Sequence, residues 1–154
     1  MIKERAEELV RALRSGEFQQ TQYLLNRKNE GFCCLGVACE LAYAAGKTRK
    51  KPYTDGDENP YRNGKIFYGG MEGDEIDDEA PDGFYDGAMP KSVMEHFGFK
   101  TSSGLIPDEL EQDVHEMLCR TPGHINLISL ANINDNQYGF AAIANIIEKH
   151  WEAL

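Results

Sequence analysis

Three of the chain's four cysteines fall within seven residues, in the block GFCCLGVACELAYAAG from Gly31 to Gly46. Thiols so close together raise three kinds of chemistry: a metal site, a redox pair or a nucleophile. Cys33, Cys34 and Cys39 lack the paired short spacings of a structural zinc site, and two adjacent cysteines sit poorly on one ion. Free cysteine is among the most buried residue types, so the block is expected to pack inward at the start of a helix. A zinc alternative uses HEMLC. His115 and Cys119 are four apart and share a helix face, His124 follows, and a cysteine of the first block would complete the set. The HExxH pattern of a metalloprotease is not met, because its second histidine is missing. No metal is therefore assigned, and His115 with Cys119 stands as the alternative. A thiol nucleophile needs a base and an electropositive setting, and the spacing singles out none of the four histidines. No GxSxG, Walker or GxGxxG pattern is present.

Other residues suit binding. The run from Asp74 to Glu79 offers a phosphate-like surface to a basic partner; it does not have EF-hand spacing and reads otherwise as a solvated loop. Lys47, Arg49, Lys50 and Lys51 form a basic cluster able to meet a phosphate, with Arg14, Arg27 and Lys28 elsewhere in the same half of the chain. ANINDNQYGF carries Asn132, Asn134, Asp135, Asn136 and Gln137. Their amides can read the edges of a ligand, or bond to nearby backbone and cap the following helix.

The totals narrow the class. A chain of 154 residues is the size of one domain and buries a core without disulfides. No run of 18 apolar residues is present, and MIKERAEELVRALRSGEF is charged and amphipathic without a signal-peptide core, so a soluble cytoplasmic protein is expected. The formal net charge of −10 is uneven: residues 1–51 hold ten basic and six acidic side chains, residues 52–154 six and twenty. Such an acidic chain is not expected to bind nucleic acid in general, since phosphate contacts drive that affinity.

The elements that must position these groups follow from periodicity. Ile2, Ala6, Leu9, Val10 and Leu13 form one helical stripe, ended at Ser15-Gly16. Cys34, Ala38, Leu41 and Ala45 form a second, stopped by Gly46. KTRKKPY reads as a basic turn. The stretch from about 54 to 88 reads as a long acidic insert in which only KIFYGG is a strand. Pro90 opens a helix with Val93, Met94 and Phe97; Pro107 opens another with Leu110, Val114, Met117 and Leu118. INLISLANIND is ambiguous and is assigned a short helix ending near Asn134-Asp135. Phe140, Ile143, Ile146, Ile147 and Trp151 mark the last helix. The expected architecture is α+β and helix-rich: a single compact domain with a minor strand component and a long acidic central loop.

Four pieces together resemble a family of small bacteriophage and prophage proteins: ALRSGEFQQTQYLL, with its RSG-x-x-x-Q turn; GFCCLGVACELA, the most distinctive; MPKSVMEHFGF; and LANINDNQYGFAAIANIIE. They span about half the chain, and the acidic insert has no clear counterpart. The resemblance implies a phage origin and brings no activity of its own. Small phage accessory proteins often act against host defence, some by sequestering nucleotide immune signals and some by binding a defence protein directly.

The leading expectation is thus a non-enzymatic homo-oligomer that sequesters a small nucleotide-derived anion in the host cytoplasm. Arg14, Gln20, Tyr23, Lys50, Asn132 and Asn134 are its candidate ligand-binding residues, with no cofactor and no membrane. The alternatives are an acidic inhibitor whose insert fills a basic cleft of a host protein, and a zinc-dependent enzyme.

Overall fold

The first apolar stripe becomes helix α1 (Lys3–Arg14), which buries Ala6, Leu9, Val10 and Leu13. Ile2 lies just outside it, 46% exposed, where its N–H donates to Phe97 O. The computed structural model describes residues 1–52, 64–74, 83–118 and 129–154. Among them are six helices: α1, α2 (Cys34–Ala44), α3 (Lys91–Phe97), α4 (Asp108–Met117), α5 (Leu130–Asp135) and α6 (Phe140–His150). Each lies where a periodic apolar pattern predicts a helix, and α5 makes Leu130–Asp135, the last six residues of the ambiguous INLISLANIND segment, helical. The fold is α+β with helices dominant, as expected.

Helix α2 sits at the centre, against α1, α3 and α5. It buries Cys34, Leu35, Gly36, Val37, Ala38, Cys39 and Ala42, an apolar surface too wide for one stripe and proper to a core helix. The approach is closest at Gly36: a Cβ there would lie 1.5 Å from Leu25 O, so only glycine lets the helix rest on that backbone. Helix α6 packs along α1 and buries Phe140, Ile143, Ala144, Ile146 and Ile147. The two run in opposite directions: the Met1 ammonium donates to Trp151 O, while Arg14 reaches Asn145 and Glu148. Side chains from all six helices, with Leu25 and Tyr68, meet in one buried cluster. Gly98 closes α3 in the left-handed conformation, at φ +70°.

Two small antiparallel sheets lie among the described residues. Strands β1 (Asn26–Arg27) and β2 (Gly31–Phe32) form a hairpin ahead of α2. Strands β3 (Arg49–Pro52), β4 (Ile66–Gly69) and β5 (Phe84–Tyr85) form a three-stranded sheet in that order, with Lys50 opposite Tyr68 and Tyr68 opposite Tyr85. Two sequence expectations are corrected here. The basic segment read as a turn contains β3, and the insert supplies β5 as well as β4. A lysine-rich run is a natural edge strand, because its charged heads reach water while its stems lie on apolar rings; Lys51 Nζ lies 4.1 Å from the Phe84 ring centroid. Most of the acidic run, residues 75–79, lies outside the described residues. Asp74, which begins it, has a structural use: its carboxylate accepts from Ser92 N–H at 2.8 Å and from Met71 N–H, tying the 71–74 turn to the first turn of α3.

Candidate functional site

The GFCCLG block is explained by packing. Cys33 caps α2, its sulfur accepting from Gly36 N–H at 3.3 Å, and the Cys34 thiol donates to Leu130 O at 3.4 Å. Burial pushes the Cys33 thiol up to about 11 and raises Cys34 and Cys39 well above the ordinary value. Thiols held protonated in this way are poor nucleophiles. His115 on α4 is 2% exposed; its Nε2 is 3.6 Å from Glu111 Oε1, too far for a hydrogen bond, and its buried Nδ1 has no partner among the described residues. Cys119 and His124, the other members of the zinc alternative, lie outside the described residues, so the set as a whole is not seen. Among the described residues no three His, Cys, Asp or Glu side chains are grouped to hold a metal ion.

The structure brings four of the six candidate ligand-binding residues to one place. Gln20 Nε2 donates to Asn134 Oδ1 at 2.9 Å and to Tyr138 O at 2.7 Å, and Gln20 Oε1 accepts from Phe140 N–H at 3.0 Å. Asn134 Oδ1 accepts a second bond from Cys34 N–H, and Asn134 Nδ2 donates to Thr21 O at 2.8 Å and Asp135 Oδ1 at 3.4 Å. Every hydrogen-bonding position of the Asn134 amide is thereby used inside the protein, at zero exposure. Asp135 Oδ1 also accepts from the N–H of Tyr23, a residue at φ +67° with 74% of its surface exposed. Asn132 lies on the same helix, its Oδ1 buried without a hydrogen-bond partner among the described residues. These amides fasten the 20–23 segment to α5 and α6.

Lys50 belongs to another face. Its Nζ donates to Glu40 Oε1 and lies 4.2 Å from the Tyr43 ring centroid. Glu40 Oε2 accepts from Tyr68 OH at 2.8 Å, which accepts in turn from Asn26 Nδ2 at 2.7 Å. Burial, then the neighbouring Glu40 charge, pushes the Tyr68 hydroxyl far up, so it stays a donor.

Arg14 lines a groove that none of the other five reaches. Between α1 and α6, Lys3, Ala6, Glu7, Val10, Arg11, Arg14, Glu148 and Trp151 enclose about 340 Å³. Ala6 and Val10 are buried beneath it, Trp151 is half-buried, and the charged groups are exposed. Arg14 NH1 and NH2 donate to the two oxygens of Glu148 at 3.1 and 2.7 Å, and NH2 also donates to Asn145 Oδ1 at 2.7 Å. Those hydrogen bonds raise Arg14 and hold the Glu148 carboxyl below its ordinary value. Sequence reasoning missed Lys3, Arg11 and Trp151 as its companions. One signal was available: residues 3, 7, 11 and 14 fall on one face of a helix. A second, wider cleft of about 710 Å³ lies between Arg5, Lys47, Glu72, Ser92 and His96. It carries three glutamates against one arginine and one lysine, which suits an anion poorly.

No described helix is long and apolar enough to cross a membrane. The chain belongs to the family of the domain of unknown function DUF8296, whose model matches residues 1–151. No curated protein and no solved structure matches it.

Proposed function

For this member of that family we propose a non-enzymatic binding protein that holds a small nucleotide-derived anion in the groove between α1 and α6 and sequesters it. The observation that carries the reading is the meeting of Lys3, Arg11 and Arg14 with the chain's one tryptophan around a single groove. Its volume is at the lower end of the ~300–1,000 Å³ usual for small-molecule sites, which suits one ring system with a phosphate. Arginine presents a planar fork that matches phosphate oxygens, and an aromatic ring at a groove stacks on a base for about 1–3 kcal/mol. Three cations against two carboxylates favour an anion locally although the chain as a whole is acidic. The resemblance to phage proteins supports a setting in a host cytoplasm, where the ligand is a nucleotide immune signal and its removal blunts defence. In this reading Gln20 and Asn134 hold the scaffold, and Arg14 is the one earlier candidate that touches the ligand.

Native mass spectrometry of the purified protein, alone and with a panel of nucleotides, tests this directly and reads the expected homo-oligomer in the same spectrum. A nucleotide adduct in whole-number stoichiometry is expected. Arg11→Glu and Arg14→Glu should each weaken it more than about tenfold, as loss of a charge-assisted contact does, while Lys50→Ala should not. A panel without any adduct, or adducts indifferent to both reversals, would exclude the groove as the binding site.

A further inference from the structure

In the free protein the fork of Arg14 already holds an oxyanion. NH1 and NH2 take the two oxygens of Glu148 side by side, the arrangement in which a guanidinium also takes two oxygens of a phosphate. Building on the groove reading, we propose that this edge of Arg14 is the phosphate subsite and that Glu148 is its internal competitor, displaced when a phosphate-bearing ligand enters.

Three features support the exchange. First, Glu148 is free to leave: 60% of its side chain is exposed, and among the described residues it bonds to Arg14 alone. An ion pair so open to water is weakly held. Second, Arg14 keeps its aim when Glu148 swings away. Asn145, three residues back and on the same side of α6, holds NH2 at 2.7 Å from a position outside the bidentate pair. Third, a phosphate gains what Glu148 cannot. A terminal phosphate carries close to two charges and three acceptor oxygens, so it can take the Arg14 fork and still meet Arg11 or Lys3 in the same groove. Glu148 competes only through its tether, which keeps one carboxylate at the fork at an effective concentration on the order of millimolar.

Competition of this kind leaves a particular signature. A ligand that uses the fork must displace Glu148, and one that only stacks on Trp151 need not. Because the chain has a single tryptophan, its fluorescence reports on the groove alone. Adenosine 5′-monophosphate and adenosine are titrated against wild type, Glu148→Gln and Glu7→Gln, with calorimetry as a second readout. Glu7 is the groove's other carboxylate and has no bond to Arg14, so it controls for the general loss of negative charge. Glu148→Gln is expected to tighten the monophosphate severalfold, up to about fivefold, the range an exposed ion pair spans, and to leave adenosine unchanged. Glu7→Gln should give a smaller, salt-screened gain. If the monophosphate binds wild type and Glu148→Gln alike, or if both glutamate variants tighten it equally, the competitor role is overturned while the groove stands. If the monophosphate binds none of the three proteins, the groove reading itself fails, and the competitor role with it.

Discussion

Gln20 and Asn134, 114 residues apart in the chain, share a hydrogen bond of 2.9 Å beneath the turn between α5 and α6. Around that bond four backbone groups, Thr21 O, Cys34 N–H, Tyr138 O and Phe140 N–H, are satisfied by two side-chain amides. A buried backbone group without a partner is costly, so the pair does for the irregular 19–23 segment what a regular strand would do by pairing.

Replacing Asn134 by alanine should therefore unfold the protein more easily by about 3 kcal/mol, because it takes a partner from Thr21 O and Cys34 N–H, on two segments, at once. Gln20→Ala should cost about 2 kcal/mol. Urea denaturation of the two single variants and the double variant measures the coupling, expected to exceed about 0.5 kcal/mol. Additive effects would mean that the two amides act independently.

Gly36 and Gly46 offer a contrast in what a single methyl does. At Gly36 the added Cβ would overlap the Leu25 carbonyl, and neither backbone can give way without parting α2 from the hairpin. Gly36→Ala should cost upwards of about 4 kcal/mol or fail to fold. Gly46 has open space around it and only a left-handed φ of +69°, so Gly46→Ala should cost about 1 kcal/mol. Thermal melts of both variants rank the effects; equal losses would refute the packing account.

The three buried thiols should resist modification in the native protein. In a Cys119→Ser background, Cys33, Cys34 and Cys39 should react with a thiol reagent at neutral pH only at the rate at which the protein opens, and all three should react at once in denaturant. A rapid native burst from any of them would show an accessible thiolate, at odds with their burial and raised values.

Two groups give the stability different pH dependences. Burial, and then the nearby Arg5 charge, lower His96 from its ordinary 6.5. The unfolded chain then binds a proton that the folded chain refuses, so stability falls as pH drops through 6.5 and levels off below the depressed folded value. Asp113 acts with the same sign in a more acidic window. It accepts from Lys149 at 2.7 Å and meets His150 Nε2 at 2.5 Å, and the Lys149 hydrogen bond, chiefly, holds it below its ordinary value. Its contribution is present above the ordinary carboxylate range and is lost as pH falls through the lowered value. Denaturation midpoints followed across pH should show His96→Gln flattening the near-neutral slope, and Asp113→Asn flattening only the acidic one.

Much of the helical framework was readable because an amphipathic helix writes its buried face into the sequence at a fixed period. The stripe from Ala6 to Leu13 and that from Phe140 to Ile147 state which faces turn inward before either helix has a partner. The stop at Gly46 was readable for the same local reason: a left-handed residue after a helix is a property of a few neighbouring residues. Strand β3 was hidden because Arg49, Lys50 and Lys51 show no alternation, and its pairing depends on β4, which lies beyond residues 53–63 in the chain.

The sequence by itself determined the helices, their inward faces and the inert, packed character of the cysteine block, all of which depend on residues within a few positions of one another. Only the tertiary structure decided how the polar residues are used. Asn134 and Arg14 are alike as candidates on the page, each a good hydrogen-bonding group near an apolar segment. Folding gave the first four partners inside the protein and placed the second at the rim of a groove beside Trp151. A side chain's chemistry is carried by its own atoms, but whether that chemistry is buried within the protein or held at its surface depends on what arrives from distant parts of the chain.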